Sequence, residues 1–464
     1  MQNPFVVAKF GGTSVANLNA ICQCAEIIKS SPSVRLVVVS AQSGVTNLLI
    51  KLAYHLTSVD EIENIVGKIQ TVILPIVAKI DCTNLQTDIQ QKIDDLRFLA
   101  QMSVRLNTKE LSDEILSFGE RISAQLVAAI FRQKKINAQY FNVQTVMKTN
   151  SNFSQAKPNL DVIKEQVTTH MLSLLQADQV LVCEGFIGMD SKGKTTTLGR
   201  GGSDYSAALL AQALQAKSVK IWTDVAGIYE ADPRIIPQAR AIESLSFNEA
   251  AELATFGAKV LHPATLWPAI SSNIDVFVGS TFSPKMGGTW ISAKANSLKE
   301  PPQIRAIAER KNQLLMTLKS FDMFHAQGFL ATVFSILAKH NISVDLVTTS
   351  EVSIALTLDH IGSQSIGESL LTQALLDELQ SIGNIEISIE HNLSLIAVVG
   401  NRLHQHKGIS AKLFSALESY NVRLFTHGAS GHNICLLVAT EDAKSVMMDI
   451  YTQLFSEFTK ESVR

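Results

Sequence analysis

The sequence predicts an α/β domain over about the first 290 residues, followed by two small α+β modules. Apolar, strand-like runs alternate with helical segments in the first part. In the last third, one segment repeats itself without gaps. The chain has 464 residues, of which 46% are hydrophobic, so it contains enough material for about three domain-sized cores.

The composition argues against several classes of function. The 40 Lys and Arg residues nearly balance the 42 Asp and Glu residues, so we expect no nucleic-acid partner. No run reaches the ~18 apolar residues of a membrane span, so we expect no membrane association. The five cysteines are scattered, which favours a reduced, cytoplasmic protein over one with a disulfide framework or a zinc site.

The first strand and the turn after it have the composition of a phosphate site. An apolar run at 5–10 carries Lys9 near its end, and GGTS follows at 11–14. Glycines let the backbone approach an anion, hydroxyl residues can cap a helix that begins near Val15, and the lysine adds a full positive charge. The alternative is a tight strand-to-helix turn with a solvated lysine.

A second apolar strand is predicted at 34–40, and small polar residues continue to position 47. Ligands bind at the carboxyl ends of strands in open α/β sheets. Residues 48–106 contain little glycine and are predicted to be helical, with Pro75 as the one interruption. Another helix is predicted to begin around 118–121.

The sequence GMDSKGKT at 188–195 matches the phosphate-loop pattern G-x-x-x-x-G-K-[ST]. A phosphate loop of that type needs a helix directly after its lysine. Here β-branched residues and glycines follow, in TTLGRGG at 196–202, and these disfavour a helix. We therefore predict a β-hairpin turn at this position.

A second glycine-rich turn, LGRGGSDYS at 198–206, precedes an Ala- and Leu-rich helix predicted at 206–216. Two such turns indicate two anionic groups. Arg200 can bind a carboxylate or phosphate through two hydrogen bonds, and Asp204 can orient the lysine of the first turn or bind Mg²⁺. Ser203 or Asp204 is expected to cap the helix, and capping alone would be a sufficient reason for the aspartate.

A third polar cluster follows the strand predicted at 219–222. It contains Thr223, Asp224, Tyr229 and Arg234. A polar strand end, an aromatic ring and an arginine suit a nucleotide base and its phosphates. Lys259 adds another cation further along the chain, although a surface lysine is the simpler interpretation of that residue alone.

Together these motifs resemble the aspartate kinases, which have the amino-acid kinase fold. The matching segments are KFGGTS (9–14), SAQSGVTN (40–47), GE (119–120), TTTLGRGGSD (195–204), WTDVAGIY (222–229), DPR (232–234) and GAKVLHP (257–263). The resemblance covers nearly the whole chain, and the motifs follow one another in the same order as in the family. It implies a catalytic domain at 1–295, built as a three-layer αβα sandwich with a parallel-rich sheet, in which 48–106 is a helical excursion.

The resemblance also implies an activity. It is ATP-dependent phosphorylation of the L-aspartate β-carboxylate to 4-phospho-L-aspartate, the first step of lysine, threonine and methionine biosynthesis. Mg²⁺ would be carried by ATP, with no direct protein ligand. The implied residues are Lys9 and Asp204 for catalysis; Gly11, Gly12 and Thr13 for the phosphate loop; Ser40, Thr46, Glu120, Arg200 and Ser203 for aspartate; and Thr223, Asp224, Tyr229, Arg234, Lys259 and Val260 for ATP.

One departure from the family pattern lies in the nucleotide segment. Glu230 and Ala231 stand where many aspartate kinases carry two threonines. We expect both side chains to face solvent, so that only a detail of the nucleotide site is affected.

The last third contains two copies of one module. Aligning Gly328 with Gly408 pairs Ile354 with Ile434, and each copy is predicted to be ferredoxin-like. The copies, at 313–390 and 391–464 with 300–312 as a possible added strand, resemble ACT domains, which bind amino acids where the copies meet. Dimerisation alone is the alternative role. We expect a homodimer or homotetramer formed through these modules.

The two copies differ in their acidic residues. Asp345 and Glu351 of the first copy correspond to Phe425 and Gly431 of the second. Two carboxylates around a small pocket favour a ligand with two ammonium groups, so we expect L-lysine as a feedback inhibitor; solvated turn residues are the alternative. The resemblance to lysine-sensitive aspartate kinases implies an effector site formed by Met323, Ala326, Phe329, Leu330, Ser343, Val344, Asp345, Ser350 and Glu351.

Those relatives commonly carry serine at the position of Ala326. The missing hydroxyl would weaken lysine binding by about 1 kcal/mol without changing the identity of the effector.

Two other functions fit part of the pattern. Kinases for glutamate, N-acetylglutamate, carbamate and uridylate share the Lys-x-Gly-Gly start, but they usually lack paired ACT modules. A catalytically silent amino-acid sensor would have no need of Lys9, Glu120, Arg200 and Asp204 together.

Overall fold

The computed structural model describes residues 3–54, 58–176, 179–257, 263–293, 295, 304–324, 327–358 and 371–455. These residues form two compact units. Unit 1 comprises the described residues within 1–228, 241–254 and 259–299, and unit 2 those within 229–240, 255–258 and 300–464. Two short segments from the predicted catalytic domain therefore belong to the second unit.

Unit 1 is built on an eight-stranded sheet. Its strands are β1 (Asn3–Phe10), β2 (Val34–Val39), β3 (Ala138–Tyr140), β4 (Val180–Glu184), β7 (Ala216–Thr223), β8 (Ser244–Leu245), β9 (Asp275–Ser280) and β10 (Gly288–Ile291), and a separate hairpin consists of β5 (Ile187–Met189) and β6 (Thr195–Thr197). The order is β3-β4-β2-β1-β7-β9-β10-β8, and neighbours are parallel except for β9 and β10.

Helices cover both faces of this sheet. They are α1 (Leu18–Lys29), α2 (Val45–Tyr54), α3 (Val59–Val77), α4 (Thr83–Ser103), α5 (Lys109–Gln133), α6 (Leu160–His170), α7 (Leu172–Gln176), α8 (Gly202–Leu214), α9 (Phe247–Thr255) and α10 (Pro263–Ser271). On one face, Val6, Ala8 and Phe10 share a core with residues of α1 and α5. The alternate residue Val7 points to the other face, where α8 packs on β1 and β7. The predicted three-layer fold is confirmed.

The helical stretch predicted at 48–106 holds most of α2 and all of α3 and α4, with Pro75 inside α3. The sequence GMDSKGKT forms the turn of the β5–β6 hairpin, where Asp190 accepts hydrogen bonds from the backbone N–H groups of Lys192 and Lys194, both at 2.9 Å. The hairpin prediction is confirmed.

The start of the first helix was predicted wrongly. A 3-10 helix, Gly12–Val15, follows β1, and α1 begins only at Leu18, with Asn17 as its N-cap. The Ser14 hydroxyl does not cap a helix; it lies 2.7 Å from the Thr281 hydroxyl and 3.3 Å from the Trp222 carbonyl oxygen.

Unit 2 contains a six-stranded antiparallel sheet. Its strands are β11 (Ile304–Lys319), β12 (Val344–Thr349), β13 (Ser353–Leu358), β14 (Glu386–Gly400), β15 (Leu424–His427) and β16 (Asn433–Ala439), in the order β12-β13-β11-β14-β16-β15. Its helices are α11 (Phe329–Lys339), α12 (Gln373–Gln380), α13 (Ile409–Ala416) and α14 (Ala443–Phe455). The two central strands run along each other from Ile304 opposite Gly400 to Lys319 opposite Glu386, so each contributes to both modules.

The internal repeat corresponds to equivalent backbone positions. Gly328 and Gly408 precede α11 and α13 with φ angles of 84° and 83°, a conformation that favours glycine. Ile354 and Ile434 are fully buried on β13 and β16. None of the helices within the described ranges is both long enough and apolar enough to cross a membrane.

Candidate active site

The candidate site lies where the loops after β1, β2 and β4 leave the sheet. Because these neighbouring strands are parallel, their carboxyl ends meet at one edge. Hydrogen bonds continue past the strand ends: the Ser40 N–H donates to the Phe10 carbonyl at 3.2 Å, and the Gly185 N–H donates to the Val39 carbonyl at 2.9 Å. The three loops are therefore held side by side.

Lys9 forms an ion pair with Asp204 at this edge. The Lys9 Nζ lies 2.5 Å from Asp204 Oδ1, and the two side chains are only 10% and 16% exposed. The helix α8 begins at Gly202, with Gly201 as its N-cap at φ 72°. The prediction that Ser203 or Asp204 caps this helix is wrong: the cap position is Gly201, in a left-handed conformation, and Asp204 lies within the first turn, where it pairs with Lys9.

The glycine turn after β1 is in close contact with the loop after β2. A Cβ atom on Gly12 would lie 2.9 Å from the Ala41 carbonyl oxygen, and the Ser43 N–H donates to the Gly12 carbonyl at 3.1 Å. The neighbouring Gly11 N–H donates to the Trp222 carbonyl at 3.1 Å. A side chain at position 12 would separate the two loops, so glycine is required there for a steric reason.

Glu120 reaches the same loop from α5. Its Oε1 accepts a hydrogen bond from the Ala41 N–H at 3.1 Å, and its Oε2 has no hydrogen-bond partner among the described residues. The helix comes close because residue 119 is glycine, whose Cβ would lie 2.7 Å from the Ala41 Cβ. The pKa of Glu120 is raised to about 8, mainly by burial; the hydrogen bond from the Ala41 N–H and the charge of Lys9 lower it, and the nearby Glu184 contributes to the rise.

Glu184 is a buried acid that the sequence analysis did not single out. Its Oε1 accepts a hydrogen bond from the Tyr140 hydroxyl at 2.5 Å, and its Oε2 accepts one from the Val143 N–H at 2.9 Å. Burial raises its pKa, as it does for Glu120. A carboxylate at the end of the otherwise apolar strand β4 is the signal that could have identified it. Both oxygens are already bonded, which favours a supporting role.

The structure brings some of the predicted aspartate-binding residues together. Ser203 is buried close to Gly185, the residue that follows β4. The approach is so close that a Cβ atom on Gly185 would lie 2.6 Å from the Ser203 Cβ. Ser40 and Thr46 are partly exposed in the loop after β2 and in the first turn of α2. Arg200 is exposed and forms no hydrogen bond or ion pair within the described part of the chain.

The predicted ATP-binding residues are divided between the two units. Thr223 and Asp224 follow β7 in unit 1, where the threonine hydroxyl donates to the aspartate Oδ1 at 3.0 Å. Tyr229 and Arg234 belong to unit 2. The guanidinium Nη2 of Arg234 lies 2.7 Å from Asp232 Oδ2. Lys259 and Val260 lie outside the described residues, and the ATP-binding set stays a prediction.

The expectation that Glu230 and Ala231 face solvent is wrong. Ala231 is 3% exposed and belongs to a hydrophobic core of unit 2. Glu230 accepts a hydrogen bond from the Tyr451 hydroxyl at 2.8 Å. The cause is packing against parts of unit 2 that are distant in sequence, Tyr451 among them, which no local pattern indicates.

The predicted effector residues lie in the first module of unit 2. Asp345 is half-buried and its Oδ2 lies 2.9 Å from the Arg310 Nη1, so its charge already has a protein partner. Glu351 and Ser350 are exposed at the turn between β12 and β13. Phe329 is buried, and Met323 packs against the same core. Ser343 and Val344 are partly buried, Leu330 is exposed, and Ala326 lies outside the described residues.

Within the described ranges, no group of three or more His, Cys, Asp or Glu side chains is placed to hold a metal ion. Asp204, the one site carboxylate for which we considered a magnesium role, is paired with Lys9.

Comparison with known proteins gives consistent results across the chain. The amino acid kinase family model matches residues 4–280, and an ACT domain model matches residues 396–454. The chain is 47% identical to lysine-sensitive aspartokinase 3 of Escherichia coli K12 over 98% of its own length and 100% of that relative. It is 34% identical to an aspartokinase of Chlamydia pneumoniae, covering 96% of this chain and 97% of the other.

Solved structures agree with these matches. The E. coli aspartokinase III complex with aspartate and ADP, in the R-state, matches with a TM-score of 0.90 at 47% identity, covering 97% of this chain and 100% of that one. The same enzyme in complex with lysine and aspartate, in the T-state, matches with a TM-score of 0.81 at 46% identity, covering 98% and 100%.

Proposed function

Because the chain belongs to the amino acid kinase family and, within it, to the aspartokinases, we propose that it phosphorylates the β-carboxylate of L-aspartate with ATP. The products are 4-phospho-L-aspartate and ADP. The observation that carries the proposal is the buried Lys9–Asp204 pair at the strand ends, close to the glycine turn and to the loop that Glu120 supports. The E. coli relative was crystallised with aspartate and ADP, which supports the same substrates here.

The chemical step is a direct phosphoryl transfer. A β-carboxylate oxygen forms a bond to the γ-phosphorus, the bond from that phosphorus to the bridging oxygen breaks, and ADP leaves with the electron pair. No protein nucleophile takes part. The protein positions the two reactants and neutralises charge, which is the main contribution of enzymes to this kind of reaction.

Lys9 is the residue that stabilises the transferring group. Its ammonium is fixed at the end of β1 by Asp204, so little reorganisation is needed when charge develops on the phosphoryl oxygens. Gly11, Gly12 and Thr13 let the backbone come close to that group. Asp204 thereby acts as a positioning residue for Lys9.

Aspartate is held by residues of three loops. Glu120 receives the α-ammonium on Oε2, and Arg200 binds a carboxylate through two hydrogen bonds. Ser40, Thr46 and Ser203 provide hydroxyl groups around the substrate. The Arg200 side chain is exposed, so it can fold over a bound carboxylate.

ATP is bound by Thr223, Asp224, Tyr229, Arg234, Lys259 and Val260. Mg²⁺ is the expected cofactor; the nucleotide phosphates would carry it, and it would supply further charge neutralisation. The enzyme works in the cytoplasm, in keeping with a chain of 5 scattered cysteines.

L-Lysine inhibits the enzyme by binding at the first ACT module. The E. coli relative was crystallised with lysine as well as aspartate. An ammonium group of lysine binds Asp345 and therefore has to share that carboxylate with Arg310 or displace it. Inhibition requires that lysine binds an inactive state more tightly than the active one. The ACT modules also form the homodimer or homotetramer.

The test is a panel of acceptors with the purified full-length chain. An acyl phosphate reacts with hydroxylamine to give a coloured hydroxamate, so product is detected directly. We expect hydroxamate with L-aspartate, Mg²⁺ and ATP, and none with L-glutamate or N-acetyl-L-glutamate. Millimolar lysine should abolish it, whereas threonine and methionine should not. Equal activity with glutamate would overturn the substrate assignment.

A further inference from the structure

Residues 229–240 are built into the hydrophobic core of unit 2. Ala231 and Ile236 are 3% and 0% exposed and share a core with Ile307 of β11 and with Tyr451 of α14. The Ile307 N–H donates to the Glu230 carbonyl at 2.7 Å, which attaches the backbone of this segment to the edge of β11. The conformation of the segment is therefore determined by the second ACT module.

The side chain of Glu230 closes the segment on itself. Its Oε2 accepts a hydrogen bond from the Arg240 N–H at 3.2 Å, and the Glu230 N–H donates to the Arg240 carbonyl at 2.9 Å. The same Oε2 accepts the hydrogen bond of the Tyr451 hydroxyl at 2.8 Å, and that hydroxyl also lies 3.4 Å from the Gln238 carbonyl oxygen. One carboxylate thus connects the start and the end of the segment to α14.

Tyr451 is itself held firmly. Its side chain is buried and its ring stacks on Phe455 with 4.5 Å between the centroids. Burial, and the hydrogen bond to Glu230, raise the pKa of Tyr451, so the hydroxyl remains a neutral donor at any pH at which the enzyme works. The hydrogen bond therefore joins a firmly held hydroxyl donor to a carboxylate oxygen, which is among the stronger types in proteins.

We propose that Glu230 and Tyr451 are positioning residues for ATP: they hold residues 229–240 in the conformation in which Tyr229 and Arg234 bind the nucleotide. The inference rests on the proposed function, which assigns those two residues to ATP. A segment that samples several conformations binds its ligand with an affinity reduced by the fraction in the competent one. A helix of the regulatory module thereby sets the affinity for a substrate of the catalytic reaction.

The test variant is Tyr451→Phe, which removes one hydroxyl and leaves a ring that can still stack on Phe455. We expect the KM for ATP to rise about fivefold, which corresponds to about 1 kcal/mol. The KM for aspartate and kcat at saturating ATP should stay within about twofold of wild type, because only the competent fraction changes. Loss of general stability would instead lower kcat.

Tyr420→Phe is the matched control. The Tyr420 hydroxyl donates to Oδ2 of Asp449, on α14, at 2.5 Å; this contact also joins a tyrosine to a carboxylate, but it does not involve residues 229–240. We expect its KM for ATP to equal that of wild type. Glu230→Ala is the second variant: it should raise the KM for ATP, and adding Tyr451→Phe to it should raise the KM by less than the same change does in wild type, because the contact that the two residues share is already lost.

Calorimetric titration of each variant with ATP separates this inference from the proposed function. If wild type fails to phosphorylate aspartate, the proposed function is wrong, and weaker ATP binding by Tyr451→Phe than by Tyr420→Phe still supports the positioning role. If wild type phosphorylates aspartate but the two tyrosine variants have the same affinity and KM for ATP, the positioning role is wrong. An equal rise in the KM for aspartate and for ATP would also overturn it.

Discussion

Binding of aspartate should release a proton from Glu120. Burial raises the pKa of this residue to about 8, so about nine-tenths of the free sites are protonated at pH 7. The α-ammonium group of aspartate, bound beside Oε2, stabilises the charged form of Glu120 and therefore lowers its pKa. We therefore expect about 0.9 proton released per aspartate at pH 7 and about 0.1 at pH 9.

The affinity for aspartate should follow from the same linkage. Below the pKa of about 8, the substrate must displace the proton, so the apparent affinity should rise about ninefold from pH 6 to pH 7, about fivefold more from pH 7 to pH 8, and level off above that. The affinity for aspartate should therefore increase with pH. A carboxylate with an ordinary pKa would give an affinity that does not depend on pH over this range.

Isothermal titration calorimetry at pH 7, in two buffers with different ionisation enthalpies, measures the number of protons released. Glu120→Gln has no carboxylic proton, so release should fall to zero and the Kd for aspartate should rise about tenfold or more. Glu110→Gln is the control, because Glu110 lies on the same helix and its carboxylate pairs with exposed Lys194 at 2.9 Å. Absence of proton release in wild type, or equal release in Glu120→Gln, would refute the role of Glu120.

Three further predictions concern other residues. Lys9→Ala should lower kcat about a hundredfold or more with a normal far-UV circular dichroism spectrum, while Lys29→Ala, at a surface pair with Glu26, should change nothing; unchanged turnover in the first variant would disprove the phosphate-site assignment. Gly185→Ala should lower the melting temperature and raise the KM for aspartate, because its Cβ would lie 2.6 Å from that of Ser203, whereas Gly67→Ala, with open space around it, should do neither. Asp345→Asn should weaken lysine inhibition about tenfold or more in the kinase assay, and Asp377→Asn, on the surface of α12, should leave it unchanged. A larger effect of Asp377→Asn than of Asp345→Asn would contradict the assignment of Asp345 to the effector site.

The predictions that held depend on local patterns. Apolar strands ending in glycines indicated both the sheet and the loops at its edge, and the equivalent glycines 328 and 408 indicated the repeated module. The hairpin at 187–197 followed from β-branched residues that disfavour a helix. In each case the residues that determine the conformation are neighbours in sequence.

The predictions that failed depend on contacts between distant residues. The Tyr451 hydroxyl bonds to Glu230, 221 positions earlier in the chain, and Ala231 is buried in a core of unit 2, so neither contact has a local signature. Nor did the sequence indicate a protein partner for Asp345, because that partner lies on β11, two strands away in the order of the sheet. The prediction for the N-cap of α8 failed for a local reason instead. Gly201 occupies the cap position in the left-handed conformation, and the Asp204 carboxylate pairs with Lys9.

An isotope experiment tests most directly whether the β-carboxylate of aspartate attacks the γ-phosphorus. L-Aspartate labelled with ¹⁸O in the β-carboxylate is incubated with the enzyme, ATP, Mg²⁺ and hydroxylamine, and the inorganic phosphate is examined by ³¹P NMR. Hydroxylamine attacks the carbonyl carbon, so the bridging oxygen leaves with the phosphate. The account predicts phosphate that carries one ¹⁸O atom from β-labelled aspartate and none from α-labelled aspartate; unlabelled phosphate in both cases, or label from the α-carboxylate, would contradict it.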